Sequence, residues 1–209
     1  MVDLKEFEQK AADLRVLGMK ISIGQDTVYE KYWDEDCRRN IYSASKSFTS
    51  CAVGFAVQEG LIDLDERLMD AFKEDIPNNP DENLKKATVK DLLTMTLGQE
   101  KGFLMGKQRP RMEEQNWVKA SLAIPFVYKP GTHFVYNNVG PYLAGILVQR
   151  RAGCDLLSYL TPRLLKPLGI RKTIWEVDPE GNTFGAGGLF LTVSELHKLG
   201  MFYLQNGWG

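Results

Sequence analysis

The sequence predicts an α/β chain. A helix and two antiparallel strands occupy residues 1–40, and a mostly helical region fills residues 41–209. Three observations carry that reading. Met19, Ile21 and Ile23 alternate with polar residues ahead of a Gly24-Gln25-Asp26 turn, the pattern of a hairpin strand. From residue 44 onward helical signals dominate, punctuated by glycines and prolines. A two-stranded hairpin is marginal alone, so this pair should join a larger sheet, yet no later segment clearly supplies partners.

The elements follow in order. Leu4, Phe7, Ala11 and Leu14 recur at helical spacing, which predicts an amphipathic helix over residues 3–15. The second strand holds Thr27, Val28, Tyr29, Tyr32 and Trp33, all β-prone, but adjacent Val28 and Tyr29 break its alternation. "SKSFTSCAVGFAVQEG" predicts an apolar helix closed by Gly60. After the polar "KEDIPNNPDEN", Thr88 can cap a helix whose positive first turn holds Asp91. The polar stretch from Gln99 to Gln115 reads as a solvated loop. "YKPGTHFVYNN" is a Pro-Gly turn entering a loop, and "PYLAGILVQRRAG" is a helix ending at Gly153. "CDLLSYLTPRLLKPLGI" is a helix interrupted by proline, and a last helix starts near Thr192. Thr173-Ile174-Trp175 alone hints at a further short strand.

Composition narrows the function classes. The chain of 209 residues is 44% hydrophobic and 25% charged, with a net charge of -1. That balance suits a soluble globular domain and lacks the basic excess of a nucleic-acid or membrane-surface protein. Cys37, Cys51 and Cys154 are odd in number and far apart, which argues against a disulfide framework and a zinc site. No run reaches the length of a bilayer span, and "MVDLKEFEQKAADL" lacks the apolar core of a signal peptide. The expectation is a cytoplasmic protein with no metal or cofactor, and no nucleic-acid or membrane partner.

Two constellations carry chemistry. Ser43 and Lys46 form the single Ser-x-x-Lys of the chain, within "IYSASKSFTS". Residues three apart share a helix face, so the lysine amine can reach the serine Oγ. A serine hydroxyl needs an adjacent base to attack a carbonyl, and the free N–H groups of a helix start can stabilise an oxyanion. The alternative is a serine N-cap beside a surface lysine, and one such pair is expected about once by chance in a chain of this size. The second constellation is Tyr136-Asn137-Asn138. A phenol beside an ammonium group loses its proton more easily, and an asparagine can accept from a lysine while donating to a substrate carbonyl. The alternative here is a packed tyrosine and a capping asparagine.

The two constellations occur in the order of the penicillin-interacting serine enzymes, Ser-x-x-Lys before a hydroxyl-x-Asn element. The chain resembles the serine β-lactamase superfamily, in its class C β-lactamase, D,D-peptidase and family VIII esterase branch. "YSASKSFTSCAVGFAVQEGLIDLDERL" is similar to the active-site helix of that family and the Gly-x-x-x-Leu-Asp stretch after it. "ATVKDLLTMTLG", "YKPGTHFVYNNVGPYLAGILVQRRAG", "LLKPLGIRKTIW" and "GAGGLFLTVSELHKLG" resemble further family segments, from about Met19 to Gly207 and all in family order.

The resemblance implies a single β-lactamase/transpeptidase-like domain. By it, Ser43 is the acylated nucleophile, Lys46 tunes or takes its proton, and Tyr136 is the general base. Asn138 contacts the acyl-side amide of the substrate. The substrate is then a small molecule: a β-lactam, a D-Ala-D-Ala peptide, or an ester or amide. A tyrosine in the second element points to the class C-like branch. Met95 and Leu97 depart from the histidine and serine usual in the family. No Lys-Thr-Gly or His-x-Gly strand follows Gly188. In the family that strand gives one oxyanion N–H, so the expectation is an incomplete domain, 1–209, whose C-terminal strands are absent. That opens a second reading, a protein of this fold without turnover. His133 reads as a turn residue and His197 as structural.

Overall fold

The computed structural model describes residues 4–11 and 13–207. In chain order its first elements are α1 (Lys5–Ala11), β1 (Gly18–Ile23), β2 (Asp26–Tyr32), β3 (Arg39–Asn40) and α2 (Ser45–Gln58). Then come α3 (Leu68–Ala71), α4 (Val89–Thr94), α5 (Trp117–Leu122), α6 (Val139–Ala152), α7 (Leu156–Leu160), β4 (Phe190–Leu191) and α8 (Val193–Leu204). They fall into two units. One draws on Met1–Asn40, Leu164–Thr173 and Phe190–Gly209; the other holds Ile41–Arg163 and Ile174–Leu189.

In the first unit β1 and β2 form the expected antiparallel hairpin around Gly24 and Gln25. Ile21 pairs with Tyr29 and Ser22 with Thr27, so Val28 is an extra residue in β2. This β-bulge is the physical reason that alternation fails at Val28-Tyr29. The hairpin gains no third strand among the described residues; β3 and β4 make a separate two-stranded ladder, Arg39 opposite Leu191 and Asn40 opposite Phe190. Helix α8 packs on β1, where Ser22 Oγ meets His197 Nε2 at 3.0 Å, and the hydroxyl of Tyr32 at the end of β2 meets Ser194 Oγ at 2.9 Å. Thr192 caps α8 with a reciprocal pair: Glu195 N–H donates to Thr192 Oγ1 at 3.0 Å, and Thr192 N–H to Glu195 Oε2 at 3.1 Å. Helix α1 is shorter than the sequence predicts, since Arg15 turns left-handed and Leu14 is exposed; residues 3 and 12 of the expected helix lie outside the described residues.

In the second unit α6 is the central helix. Every residue from Val139 to Gln149 is buried, so this helix is apolar all round rather than on one stripe. It packs against α2 and α4. Gly140 makes the α4 contact possible, because a Cβ there would sit 2.2 Å from the Leu92 carbonyl oxygen. That close approach fixes where α6 begins, and with it the Tyr136–Asn138 segment. Thr88 opens α4 as predicted, with its N–H donating to Asp91 Oδ2 at 2.8 Å. Gly60 and Gly153 take left-handed φ just past α2 and α6, again as predicted. Past α7 the helix widens into a π turn over Thr161–Leu165, at the predicted proline interruption. Trp117, Tyr142 and Phe184 form an aromatic cluster with ring centroids 5.8–6.2 Å apart. Beside it, Trp175 bridges Leu189 and Val177 bridges Thr183, so residues 175–189 fold back on themselves. No described helix is long and apolar enough to cross a membrane.

Candidate active site

All four residues singled out from the sequence lie in the second unit, and its folding brings them together. Ser43 sits in a 3₁₀ turn, Tyr42–Ala44, that runs into α2. Tyr42 adopts φ 47°, a left-handed conformation sparsely used by non-glycine residues and common beside functional side chains. Ser45 braces this turn. Fully buried, its Oγ donates to the Tyr42 carbonyl at 2.6 Å and accepts from Leu189 N–H at 3.1 Å. Ser43 itself is exposed.

Lys46 follows one turn later, with its stem half-buried on α2. Its Nζ donates to Ser43 Oγ at 3.2 Å, to Asn138 Oδ1 at 2.7 Å and to the Ala186 carbonyl at 2.6 Å. An ammonium has three hydrogens and no lone pair, so three acceptors suit the charged form. Tyr136 comes from the segment just ahead of α6. Its hydroxyl is 2.8 Å from Ser43 Oγ, and Lys46 Nζ lies 5.2 Å from its ring centroid.

The two asparagines divide their work. Asn137 is buried and its Oδ1 accepts from Gly140 N–H at 3.1 Å, capping α6. Asn138 faces Lys46, while its Nδ2 donates to the Leu104 carbonyl at 2.9 Å and its N–H to the Phe103 carbonyl at 3.2 Å. One amide hydrogen of Asn138 is left over from these contacts. The capping alternative raised by the sequence therefore belongs to Asn137.

The Gln99–Gln115 stretch differs from its reading as a solvated loop. Gln99 and Leu104 are fully buried, and Leu104 holds φ 56° to present its carbonyl to Asn138. Arg109 stacks on Phe184, its guanidinium 4.2 Å from the ring centroid, and reaches Glu176 at 3.2 Å. The polar letters of this stretch conceal a brace whose working groups are mostly backbone carbonyls. A backbone carbonyl leaves no trace in residue type, so neither Leu104 nor Ala186 was signalled; Arg109 was visible only as one more loop cation.

The electrostatics follow from this packing. Burial is the largest influence on Lys46 and pulls its pKa below the ordinary lysine value; the Arg109 charge adds to that, and Tyr136 opposes it. Burial by itself would raise the Tyr136 pKa. The contact with Ser43 and the neighbouring Lys46 ammonium outweigh it and hold the phenol below the ordinary tyrosine value. The pair is thus a depressed phenol next to a depressed ammonium, both in contact with one serine hydroxyl. Such perturbed pairs cluster at functional sites.

Other candidates fall away. His133 accepts or donates within its turn to Thr132 Oγ1 at 2.8 Å and stacks on Tyr128 at 4.2 Å. His197 belongs to α8 and the first unit. Among the described residues no group of three or more His, Cys, Asp or Glu is arranged to hold a metal ion.

A family model described as Beta-lactamase matches residues 5–207. The chain is 31% identical over 157 residues to monacolin J acid methylbutanoyltransferase of Aspergillus terreus, covering 66% of the chain and 37% of that protein. It is 31% identical over 150 residues to lovastatin esterase of Penicillium rubens, covering 61% of the chain and 37% of the esterase. Among solved structures it is similar to the octameric penicillin-binding protein homologue from Pyrococcus abyssi, with TM-score 0.77, 22% identity, and coverage of 99% of this chain and 57% of that one. The chain thus spans little more than a third of the length of the curated relatives it matches.

Proposed function

The chain belongs to the β-lactamase family, and from that premise we propose that it is a serine acyl hydrolase working through an acyl-enzyme on Ser43. One observation carries the reading: Ser43 Oγ is contacted at once by the Tyr136 hydroxyl at 2.8 Å and by Lys46 Nζ at 3.2 Å. In the proposed sequence the Tyr136 phenolate takes the Ser43 proton as Oγ attacks the acyl carbonyl. Lys46, as an ammonium, favours the phenolate over the phenol and screens the charge that develops. The N–H at the helix start supplies an oxyanion donor. Collapse of the tetrahedral adduct breaks the bond to the leaving group, which takes the proton back from Tyr136. Water then attacks the ester on Ser43 with Tyr136 again the base, and the acid departs. Asn138 offers its spare amide hydrogen to a carbonyl oxygen of the substrate.

The substrate class we favour is a small ester, with β-lactams and D-Ala-D-Ala peptides as the other members of the set. The name of the Penicillium rubens relative is that of an esterase, and the Aspergillus terreus relative is named as transferring an acyl group. The second reading is a chain of the same fold that accepts an acyl group, or merely binds, without turnover. A panel of p-nitrophenyl esters, a chromogenic cephalosporin and a D-Ala-D-Ala peptide separates these readings. Multiple turnovers on one class, lost in Ser43→Ala, support the hydrolase. A single stoichiometric burst supports the second reading, and no reaction in a folded protein sinks the first.

A further inference from the structure

Lys46 is held by two acceptors besides Ser43, the Asn138 amide and the Ala186 carbonyl. Both are fixed by the same loop. Its Phe103 and Leu104 carbonyls anchor Asn138. Its Arg109 reaches the other acceptor at one remove, through the turn that carries Ala186. That turn is built on Phe184 and Glu176: Phe184 N–H donates to the Glu176 carbonyl at 2.9 Å, Ala186 N–H to the Phe184 carbonyl at 2.6 Å, and Glu176 N–H to the Gly188 carbonyl at 2.9 Å. Trp175 Nε1 closes it by donating to the Gly187 carbonyl at 2.8 Å. Arg109 covers the Phe184 ring and pairs with the Glu176 carboxylate, the two side chains at the base of the turn. The clearance there is small, because a Cβ on Gly188 would lie 2.5 Å from Glu176 Cβ.

We propose that Arg109 is a positioning residue for the Ser43 centre: by clamping Phe184 and Glu176 it aims the Ala186 carbonyl at the Lys46 ammonium. The inference rests on the reading of Ser43 as the acylated serine, but its structural part stands apart from turnover. A guanidinium is suited to the task, since its planar face stacks on a ring while its edge donates to a carboxylate. Without the clamp, Ala186 and Asn138 no longer fix Lys46 from two sides. The ammonium then samples positions away from Ser43, and a misplacement of this kind costs up to about 100-fold in rate.

The test uses the full chain with two readouts. One is the rate of Ser43 acetylation by p-nitrophenyl acetate. The other is the Nζ–H cross-peak of Lys46 in ¹⁵N-lysine-labelled protein, assigned by its loss in Lys46→Met; an ammonium held by three acceptors exchanges slowly enough to be seen. Arg109→Ala is expected to slow acetylation about 10–100-fold and to erase the cross-peak, and Arg109→Lys to restore part of both. A folded Arg109→Ala with the parent's cross-peak overturns the proposal, whatever its rate. Should Arg109→Ala not fold, Phe184→Leu, which removes the ring but keeps apolar bulk, is judged by the same two readouts. If the unmutated chain is not acetylated at Ser43, the functional reading fails, and the cross-peak still decides the role of Arg109.

Discussion

The Tyr136 hydroxyl stands 2.8 Å from Ser43 Oγ across 93 residues of chain. Two features bring them together: the left-handed Tyr42 that turns Ser43 outward, and the start of α6, pinned by the contact of Gly140 with α4. If the phenol is the base that takes the Ser43 proton, Tyr136→Phe keeps the ring packing and removes the acceptor. We expect the acylation rate to fall on the order of 10²–10⁴-fold with the melting temperature little changed, measured by burst-phase release of p-nitrophenolate.

The same pair sets a pH dependence. The base is active when deprotonated, so the rate should rise with pH through the Tyr136 midpoint, which lies below that of an ordinary tyrosine. It should fall again as Lys46 loses its proton, at a midpoint below that of an ordinary lysine because of burial. A pH–rate profile of single-turnover acylation checks both limbs. A rising limb at the ordinary tyrosine value, or one unmoved by Lys46→Met, contradicts the assignment.

Lys46→Met keeps the buried stem and deletes the ammonium. Asn138 Oδ1 and the Ala186 carbonyl are then left without their donor, and an orphaned buried acceptor costs about 1–3 kcal/mol. Acylation should fall together with stability, and the Tyr136 midpoint should rise for want of the neighbouring charge. Chemical denaturation and the pH–rate profile measure the two effects separately.

Much of this arrangement was legible in the letters, and what was not has a common cause. Side-chain chemistry with local spacing could be read. Ser43 and Lys46 are three apart on one helical turn, and the caps Thr88 and Thr192 and the glycines after α2 and α6 stand where the pattern put them. The broken alternation at Val28-Tyr29 was a true irregularity and turned out to be a bulge. Backbone groups could not be read. The carbonyls of Leu104 and Ala186, which orient Asn138 and Lys46, depend on conformation rather than residue type. The β3–β4 ladder is two residues per strand, below the length at which a period of two can be seen. The 99–115 stretch looked solvated because its charges outnumber its apolar residues, yet the few buried ones, Gln99 and Leu104, set its path.

Stability should be most sensitive where helix backbones touch. In Gly140→Ala the new methyl would meet the Leu92 carbonyl oxygen at 2.2 Å, so α6 and α4 must move apart. Overpacking of this kind costs typically 1–3 kcal/mol. The expected signature is a lowered denaturation midpoint with weakened acylation, because Asn138 and Tyr136 move with the start of α6. Gly54→Ala on α2, where an added Cβ meets nothing within 4 Å, is the matched control and should be neutral or slightly stabilising.

The most direct measurement is intact mass spectrometry of the folded chain after incubation with p-nitrophenyl acetate, followed by peptide mapping. If Ser43 is the acylated nucleophile, one acetyl adduct forms, maps to Ser43, disappears in Ser43→Ala and forms more slowly in Tyr136→Phe. An unmodified chain, or an adduct that persists in Ser43→Ala, would contradict that assignment.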